Sequence, residues 1–321
     1  MDVRLGVNTR FAAKRWPRPE DWAQIVRDQL DITLVQHCLD LVEPPLGTGS
    51  IVGPASAVRK AVANHGLELH STISGQAVSS ANLLLHPDPD ARSAARIFYH
   101  RAIAFSARIG ALATGGHVGA FAMADWTDPE RRRRRWSELR AALANLALDA
   151  RRAGLEAFLV ENRAAAREPS SMAMLRELID DGSPDRAPIR LSLDLGHMCV
   201  AGAVGDEREP YVWLRSFATK APVVQLQQSD VGHDRHWPFT PEYNAVGRIK
   251  ADWVIDALAD GGAEHAVFML EVIPPFEEDD QAVLDDLRAS VDYWREALAR
   301  RGLSESATST APATNTPAAS S

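Results

Sequence analysis

Four short apolar runs in the second half of the chain each end in a side chain that offers an oxygen atom, namely Glu161, Asp194, Gln227 and Glu271. If these runs are parallel strands of one barrel, their carboxyl ends meet at the same face and the four side chains share a site. Three carboxylates brought close together cannot all stay ionised without a counter-charge. A divalent cation supplies that charge, and oxygen ligands favour magnesium or manganese over zinc. The pattern therefore predicts a metal site formed by these four residues.

Two of the carboxylates, Glu161 and Glu271, are also candidates for proton transfer. They would lie on different sides of a closed eight-stranded barrel, from which they could reach a bound substrate on opposite faces. One glutamate would remove the proton next to a carbonyl group and the other would return it, while the cation would stabilise the ene-diolate. Because the proton returns to the opposite face, the carbon is inverted. The predicted reaction is an epimerisation.

The elements that must position these residues alternate along the chain. Strand-like apolar runs and helical stretches follow one another eight times between Val3 and Arg301, with no linker long enough to divide the chain. The glycine-rich dinucleotide motif is absent after the first run, where residues 8–11 are Asn-Thr-Arg-Phe. We therefore expect the α/β class, with a single (β/α)8 TIM barrel over residues 1–303. Residues 304–321 are almost entirely Ser, Thr, Ala and Pro and are expected to form a disordered tail.

The composition and net charge of the chain argue against several classes of function. Of its 321 residues 45% are hydrophobic, and the formal net charge of -8 argues against a nucleic-acid binder with a basic surface. No apolar run approaches the roughly 20 residues that cross a membrane, and the amino terminus lacks the features of a signal peptide. Cys38 and Cys199 are far apart and are expected to be reduced core thiols. We therefore expect a cytoplasmic protein that binds neither nucleic acid nor membrane. The sequence leaves open whether it forms a homo-oligomer.

The ordered set of strand-end residues resembles the xylose-isomerase-like TIM-barrel superfamily of sugar phosphate isomerases and epimerases. The pattern of that family places Glu after strand five, Asp with Gly-His after strand six, His after strand seven and Glu after strand eight. In this chain the corresponding residues are Glu161, Asp194 with Gly196 and His197, Gln227, and Glu271. The resemblance covers about Val3 to Arg301, and it implies a divalent metal ion and a small sugar phosphate as substrate.

Several shorter segments resemble the erythritol-catabolic branch of this superfamily. They are Lys-Arg-Trp-Pro at 14–17, Leu-Leu-His-Pro-Asp-Pro at 84–89, Leu-Gln-Gln-Ser-Asp at 226–230 with Asp-Arg-His-Trp at 234–237, and Leu-Glu-Val at 270–272 with Pro-Phe-Glu at 275–277. That branch interconverts erythrulose phosphates by epimerisation at carbon three. The resemblance therefore implies a metal-dependent ketose-phosphate 3-epimerase.

Gln227 departs from the family pattern, which has a metal-binding histidine at this position. An amide oxygen can coordinate a hard cation, but it is neutral and a weaker ligand for soft metals. The substitution favours manganese or magnesium over a zinc cluster, and it leaves open the loss of the metal. If the strand register differs by one residue, Gln228 would be the ligand and Gln227 would face away from the cleft.

A phosphorylated substrate needs cationic anchors, for which arginine gives a bidentate grip. The candidates lie in the loops after strands one and seven: Lys14, Arg15, Arg235 and His236. His197, three residues beyond Asp194, is placed to bind a substrate oxygen or to support a metal ligand. His70 and His117, expected at the ends of strands three and four, are further candidates to line the cleft.

Other functions stay open at this point. An aldose–ketose isomerase would use the same site but move the proton between neighbouring carbons, so the product distinguishes it from an epimerase. A barrel whose metal site has been lost would bind a sugar without turnover, as a regulatory protein. A DNA repair endonuclease of the same superfamily would need several histidine ligands and a basic groove, and both Gln227 and the acidic net charge argue against it.

Overall fold

The computed structural model describes residues 1–42 and 49–303, so the predicted tail at 304–321 lies outside the described residues. The strands found within the described ranges are β1 (Asp2–Asn8), β2 (Leu34–Cys38), β3 (Glu68–Ile73), β4 (Ala113–Gly116), β5 (Ala157–Glu161), β6 (Ile189–Asp194), β7 (Val223–Leu226) and β8 (His265–Leu270). They form one closed barrel in which every strand pairs in parallel with both neighbours, including β1 with β8. The prediction of a (β/α)8 barrel is confirmed.

Helices separate the strands and cover the barrel. Over the same described ranges they are α1 (Pro19–Gln24), α2 (Val52–Asn64), α3 (Gln76–Ser79), α4 (Pro89–Ile109), α5 (Met123–Thr127), α6 (Pro129–Arg152), α7 (Met172–Leu178), α8 (Pro210–Phe217), α9 (Pro241–Val246), α10 (Ala251–Asp260) and α11 (Asp280–Arg300). The long helices begin and end at signals in the sequence. In α4 the Asp88 side chain accepts a hydrogen bond from the Asp90 N–H at the start, and Gly110 ends the helix with a φ of 83°.

Strand side chains alternate between two cores. Outward-facing residues such as Val3, Leu5 and Val7 of β1 pack beneath the helices. Inward-facing residues fill the centre of the barrel with a small apolar cluster: Leu34, Ala113, Ala157, Leu159, Val223 and Met269. Both faces of a barrel strand are therefore buried, which explains why the strands are continuous apolar runs in the sequence.

The structure differs from the sequence expectation mainly in the loops at the carboxyl ends of the strands. The short helices α3, α5 and α9 lie in the loops after β3, β4 and β7 and were not predicted. Helix α7 ends at Leu178, and Asp180, two residues further on, pairs with Ile189 in an antiparallel bridge.

Across residues 1–42 and 49–303, no helix combines the length and the apolar character that crossing a membrane requires. Cys38 and Cys199 are both buried and carry free thiols.

Candidate active site

A cavity of about 260 Å³ opens at the carboxyl ends of the strands. The side chains on its wall that carry charge or can transfer a proton include Glu161, Arg163, His197, Asp234, His236 and Glu271. They come from β5 and from the loops after β5, β6, β7 and β8. Glu161 and Glu271 therefore line one cavity, at the barrel face where the carboxyl ends of the strands meet.

Three carboxylates form the floor of this site. Glu161 and Asp194 are the last residues of β5 and β6, and Glu271 follows β8 directly. One oxygen of each lies within 4.8 Å of one oxygen of each of the other two, and all three residues are buried. A group of three carboxylates at this spacing could hold a hard divalent cation.

The two carboxylate oxygens of Asp194 differ in their hydrogen bonding within the described residues. Its Oδ1 accepts hydrogen bonds from the Gly196 N–H at 2.7 Å and from Gln227 Nε2 at 2.9 Å. The Asn162 side chain fixes the main chain of Asp194 from both sides, accepting from its N–H at 2.7 Å and donating to its carbonyl at 2.9 Å. Asp194 Oδ2 is buried and has no hydrogen-bond partner within the described part of the chain. A buried carboxylate oxygen of this kind suits a metal ligand.

The carboxylate of Glu271 is hydrogen-bonded by neutral side-chain amides. Its two oxygens accept hydrogen bonds from Asn8 Nδ2 at 2.9 Å and from Gln225 Nε2 at 2.7 Å. Burial, followed by the negative charges of Asp194 and Glu161, raises the pKa of Glu271 well above its usual range. The three carboxylates therefore need either a proton on Glu271 or a cation between them.

Glu161 has a cationic partner instead. Arg163, two residues further along the chain, donates from Nη1 to Glu161 Oε1 at 2.9 Å. Burial disfavours the charged guanidinium, but the carboxylates of Glu161 and Glu168 outweigh it and raise the pKa of Arg163. Arg163 therefore stays protonated beside the site.

His197 lies against the same carboxylates. Its Nδ1 donates to the Asn162 carbonyl at 2.6 Å, and its Nε2 is 3.3 Å from Asp234 Oδ2. Burial alone would favour the neutral ring, but the charges of Asp194 and Asp234 raise the pKa of His197 to about 10. His197 lines the cavity with its Nε2 directed at Asp234.

Gln227 also reaches the site, but with its nitrogen. Its Oε1 accepts from the His236 N–H at 2.6 Å and from Ser229 Oγ at 3.0 Å, and its Nε2 donates to Asp194 and to Asp234. The amide oxygen that the sequence offered as a metal ligand is thus directed toward hydrogen-bond donors. Gln228 faces away from the cavity, where its Nε2 donates to Asn244 and to the Ile249 carbonyl.

The four expected cationic anchors fall into two groups. Arg235 and His236 line the cavity, whereas Lys14 and Arg15 do not. Arg15 instead bonds to the carbonyls of Pro275 and Glu278 and to the carboxylate of Asp280, and Lys14 Nζ lies 4.2 Å above the ring of Phe276. These two cations therefore contact the loop after β8 and do not line the cavity.

His70 and His117 also lie outside the cavity wall. His70 is in the amino-terminal half of β3 rather than at its end, and burial with the charge of Arg4 lowers its pKa to about 4. His117 does follow β4, but its Nε2 is 3.3 Å from the Ala81 carbonyl, and burial lowers its pKa to about 3. Both are neutral histidines packed into the barrel near neutral pH.

Residues 31–302 match the family described as xylose isomerase-like TIM barrel. The chain belongs to this family. A candidate xylose isomerase from Rhodospirillum rubrum has 32% identity and a TM-score of 0.83, covering 92% of this chain and 99% of its own. D-erythrulose 1-phosphate 3-epimerase of Brucella abortus is 26% identical over 298 residues, which is 92% of this chain and 96% of the relative. These similarities confirm the expected family and an enzyme of the isomerase class.

A more distant member of the same fold is a D-psicose 3-epimerase from Clostridium cellulolyticum H10. It shares 16% identity and a TM-score of 0.66, covering 92% of this chain and 99% of that protein. At this identity the similarity concerns the fold alone.

Three charged residues that line the cavity were not predicted as site residues from the sequence. Arg10 follows β1, Arg163 follows β5 and Asp234 lies in the loop after β7, and all three line the cavity. Arg10 and Arg163 each stand two residues beyond the end of a strand, and Asp234 lies further along the loop after β7. Their position in the loops was visible, but the direction of their side chains depends on loop geometry.

Proposed function

We propose that this protein is a metal-dependent epimerase that inverts the carbon next to the carbonyl of a ketose phosphate, and that erythrulose phosphate, inverted at carbon three, is its substrate. The observation that supports the proposal most is that Glu161 and Glu271 line one cavity and that an oxygen of each lies within 4.8 Å of an oxygen of Asp194. The similarity to the Brucella abortus enzyme supports the choice of substrate. The proposed cation is manganese or magnesium, because the three carboxylates offer hard oxygen ligands.

In the proposed reaction the two glutamates remove and replace the proton at carbon three. One carboxylate removes it from one face of the carbon and the other delivers a proton to the opposite face. His197, whose Nε2 is 3.3 Å from Asp234 Oδ2 on the cavity wall, turns its N–H from Asp234 to a substrate oxygen as negative charge develops there. A cation bound by Glu161, Asp194 and Glu271 would polarise the carbonyl group and offset that charge.

The phosphate anchors proposed here are arginines that line the cavity. Arg10 is buried and pairs with Asp40 at 2.9 Å, but its Nε has no hydrogen-bond partner in the described residues. Arg163 likewise has a buried Nε without a hydrogen bond in that part of the chain. Arg235 lies over the ring of Trp237 and pairs with Asp230. Arg10 and Arg163 therefore replace Lys14 and Arg15 as candidates to bind the phosphate.

A product assay tests the proposal. D-erythrulose 1-phosphate would be incubated with protein stripped by a chelator, and with the same protein supplied with manganese or magnesium. We expect the carbon-three epimer as product, formed only when metal is present. Because C1 of this substrate is esterified and cannot become an aldehyde, D-erythrulose 4-phosphate is offered in a parallel reaction, where an aldose phosphate as product would indicate the isomerase reaction instead. No product from either ketose phosphate with any metal would contradict the proposal. Unphosphorylated erythrulose serves as the control for the need for phosphate.

A further inference from the structure

Gln227 stands where an imidazole ligand is expected, yet its hydrogen bonds prevent it from replacing one. The Oε1 atom accepts two hydrogen bonds, from the His236 N–H and from Ser229 Oγ. Because a main-chain N–H can only donate, this contact fixes which end of the amide is oxygen. The Nε2 atom therefore faces Asp194 at 2.9 Å. An amide NH2 group has no lone pair to offer a cation, so Gln227 serves as a donor to the carboxylates.

His236 brings an imidazole to the same place from the loop after β7. Its Nδ1 is 3.2 Å from the carbonyl oxygen of Glu271, and because a carbonyl can only accept, Nδ1 carries the proton. In the neutral ring this leaves the lone pair on Nε2, which lies 3.2 Å from Gln227 Nε2. Histidines that bind metals are commonly oriented in this way, with the second nitrogen donating to a carbonyl or carboxylate.

The position of His236 relative to Asp194 supports a ligand role. Ligand atoms of Asp194, His197 and His236 all lie within 4.8 Å of one another, so this group shares Asp194 with the three-carboxylate group. The backbone of His236 has a φ of 51°, a value that residues other than glycine rarely adopt. The Gln227 oxygen and the Ile273 N–H, which donates to the His236 carbonyl at 3.1 Å, hold its main chain in this conformation.

His197 is a weaker candidate for the same role. Its Nδ1 donates to the Asn162 carbonyl, and its Nε2 faces Asp234 Oδ2 at 3.3 Å. Both ring nitrogens of His197 are thus within hydrogen-bond distance of oxygen acceptors. His236 Nε2 is 3.5 Å from Asp234 Oδ1, but its shorter contact, at 3.2 Å, is with the donor Gln227 Nε2. The ring of His197 is suited to donate hydrogen bonds rather than to bind a cation.

We infer that His236 supplies the imidazole ligand of the metal ion bound at Asp194, and that Gln227 is a positioning residue for this ligand. Gln227 holds the main chain of His236 through its oxygen and holds Asp194 Oδ1 through its nitrogen, which leaves Asp194 Oδ2 free. The inference rests on the metal site of the proposed function. It assigns to the loop after β7 a ligand that the family pattern takes from the strand end.

Manganese binding without substrate tests the inference. The probe is Mn²⁺ alone, with affinity measured by titration and nitrogen coordination read from the ¹⁴N modulation in pulsed electron paramagnetic resonance. The variants are His236→Asn and His236→Gly, because Asn and Gly both tolerate a positive φ. The controls are His233→Ala, an exposed histidine of the same loop, and His197→Gln.

We expect ¹⁴N modulation in the wild type, its loss in both His236 variants, and an Mn²⁺ dissociation constant raised at least about tenfold in them. Both controls should retain the modulation. The inference would be overturned if the ¹⁴N modulation persisted in the His236 variants or was lost only in His197→Gln. It would also be overturned if the wild type showed no modulation. The manganese titration is independent of the product assay, so the two claims can fail separately. If the wild type epimerises the substrate but the His236 variants bind manganese as it does, only this inference is refuted. Binding through His236 without epimerisation refutes only the proposed function.

Discussion

Arg163 Nη1 lies 2.9 Å from Glu161 Oε1, whereas Glu271 is bound by the neutral amides of Asn8 and Gln225. The two glutamates of the site therefore have opposite kinds of partner, although both face the same cavity. Carboxylates whose surroundings differ in this way are suited to separate roles in proton transfer. This difference is the structural basis for a pair in which one group removes and the other returns a proton.

Replacement of either glutamate by glutamine should nearly abolish epimerisation. Glu161→Gln and Glu271→Gln each keep the size of the side chain but remove its ability to accept a proton. We expect the rate to fall at least about 100-fold in each variant, since general acid–base catalysis contributes about that much or more. Initial rates with D-erythrulose 1-phosphate measure the effect. Rates within a factor of two of the wild type would refute the roles given to these residues.

Removal of the Arg10 guanidinium should weaken binding of the phosphate. Arg10→Gln is expected to raise KM for the ketose phosphate about tenfold or more, because a charge-assisted contact is lost. KM for unphosphorylated erythrulose should change little. Lys14→Gln is the matched control, since Lys14 lies outside the cavity wall and should leave both KM values unchanged. Equal effects of Arg10→Gln on both sugars would show that Arg10 does not bind the phosphate.

Gly196 is expected to tolerate no side chain. A Cβ atom there would lie 2.2 Å from Cδ of Gln227, which is held at both ends by hydrogen bonds. Gly196→Ala should therefore lower the free energy of unfolding by about 1–3 kcal/mol. At Gly53 in α2 a Cβ meets nothing within 4 Å, so Gly53→Ala should stabilise the protein slightly, by about 0.5 kcal/mol. Denaturant unfolding of both variants tests the contrast, and a destabilisation of equal size in both would contradict it.

Acid should destabilise the protein partly through His37. This histidine packs between Trp22 and Phe105, and burial lowers its pKa to about 4. The unfolded chain, with a pKa near 6.5, binds the proton more tightly, so stability is full above pH 6.5 and is lost as the pH falls toward 4. The loss attributable to His37 between pH 7 and pH 4.5 is about 2 kcal/mol.

His37→Phe keeps a ring in this position and removes the titrating group. Denaturant unfolding at pH 7 and at pH 4.5 should show a smaller decrease in the free energy of unfolding for this variant than for the wild type. An identical decrease in both proteins would show that His37 does not cause the acid sensitivity.

The sequence predicted the features that depend on pattern along the chain. The strands that carry Glu161, Asp194 and Glu271 were located because a buried barrel strand is a continuous apolar run, and its carboxyl end marks the site. Side-chain direction in the loops was not predictable in this way. Whether Arg15 turns toward the cavity or toward the loop after β8 depends on contacts between loops distant in the sequence, and the same holds for Arg10.

Gln227 shows most clearly that the sequence predicts the position of a residue but not the direction of its side chain. Its position at the end of β7 followed from the sequence, but the orientation of its amide is set by the His236 N–H, nine residues away. The expectation of a cytoplasmic protein and the open possibility of a homo-oligomer stay predictions of the sequence.

The most direct test of the two-glutamate account is the fate of the hydrogen at carbon three during epimerisation in deuterium oxide. Mass spectrometry and proton NMR would be applied to substrate and product at low conversion, after removal of the metal. Because one glutamate removes the proton and the other delivers a solvent-derived one, the product should carry deuterium at carbon three while the remaining substrate keeps protium. Product that retains protium at this carbon, or deuterium found at a different carbon, would contradict the account.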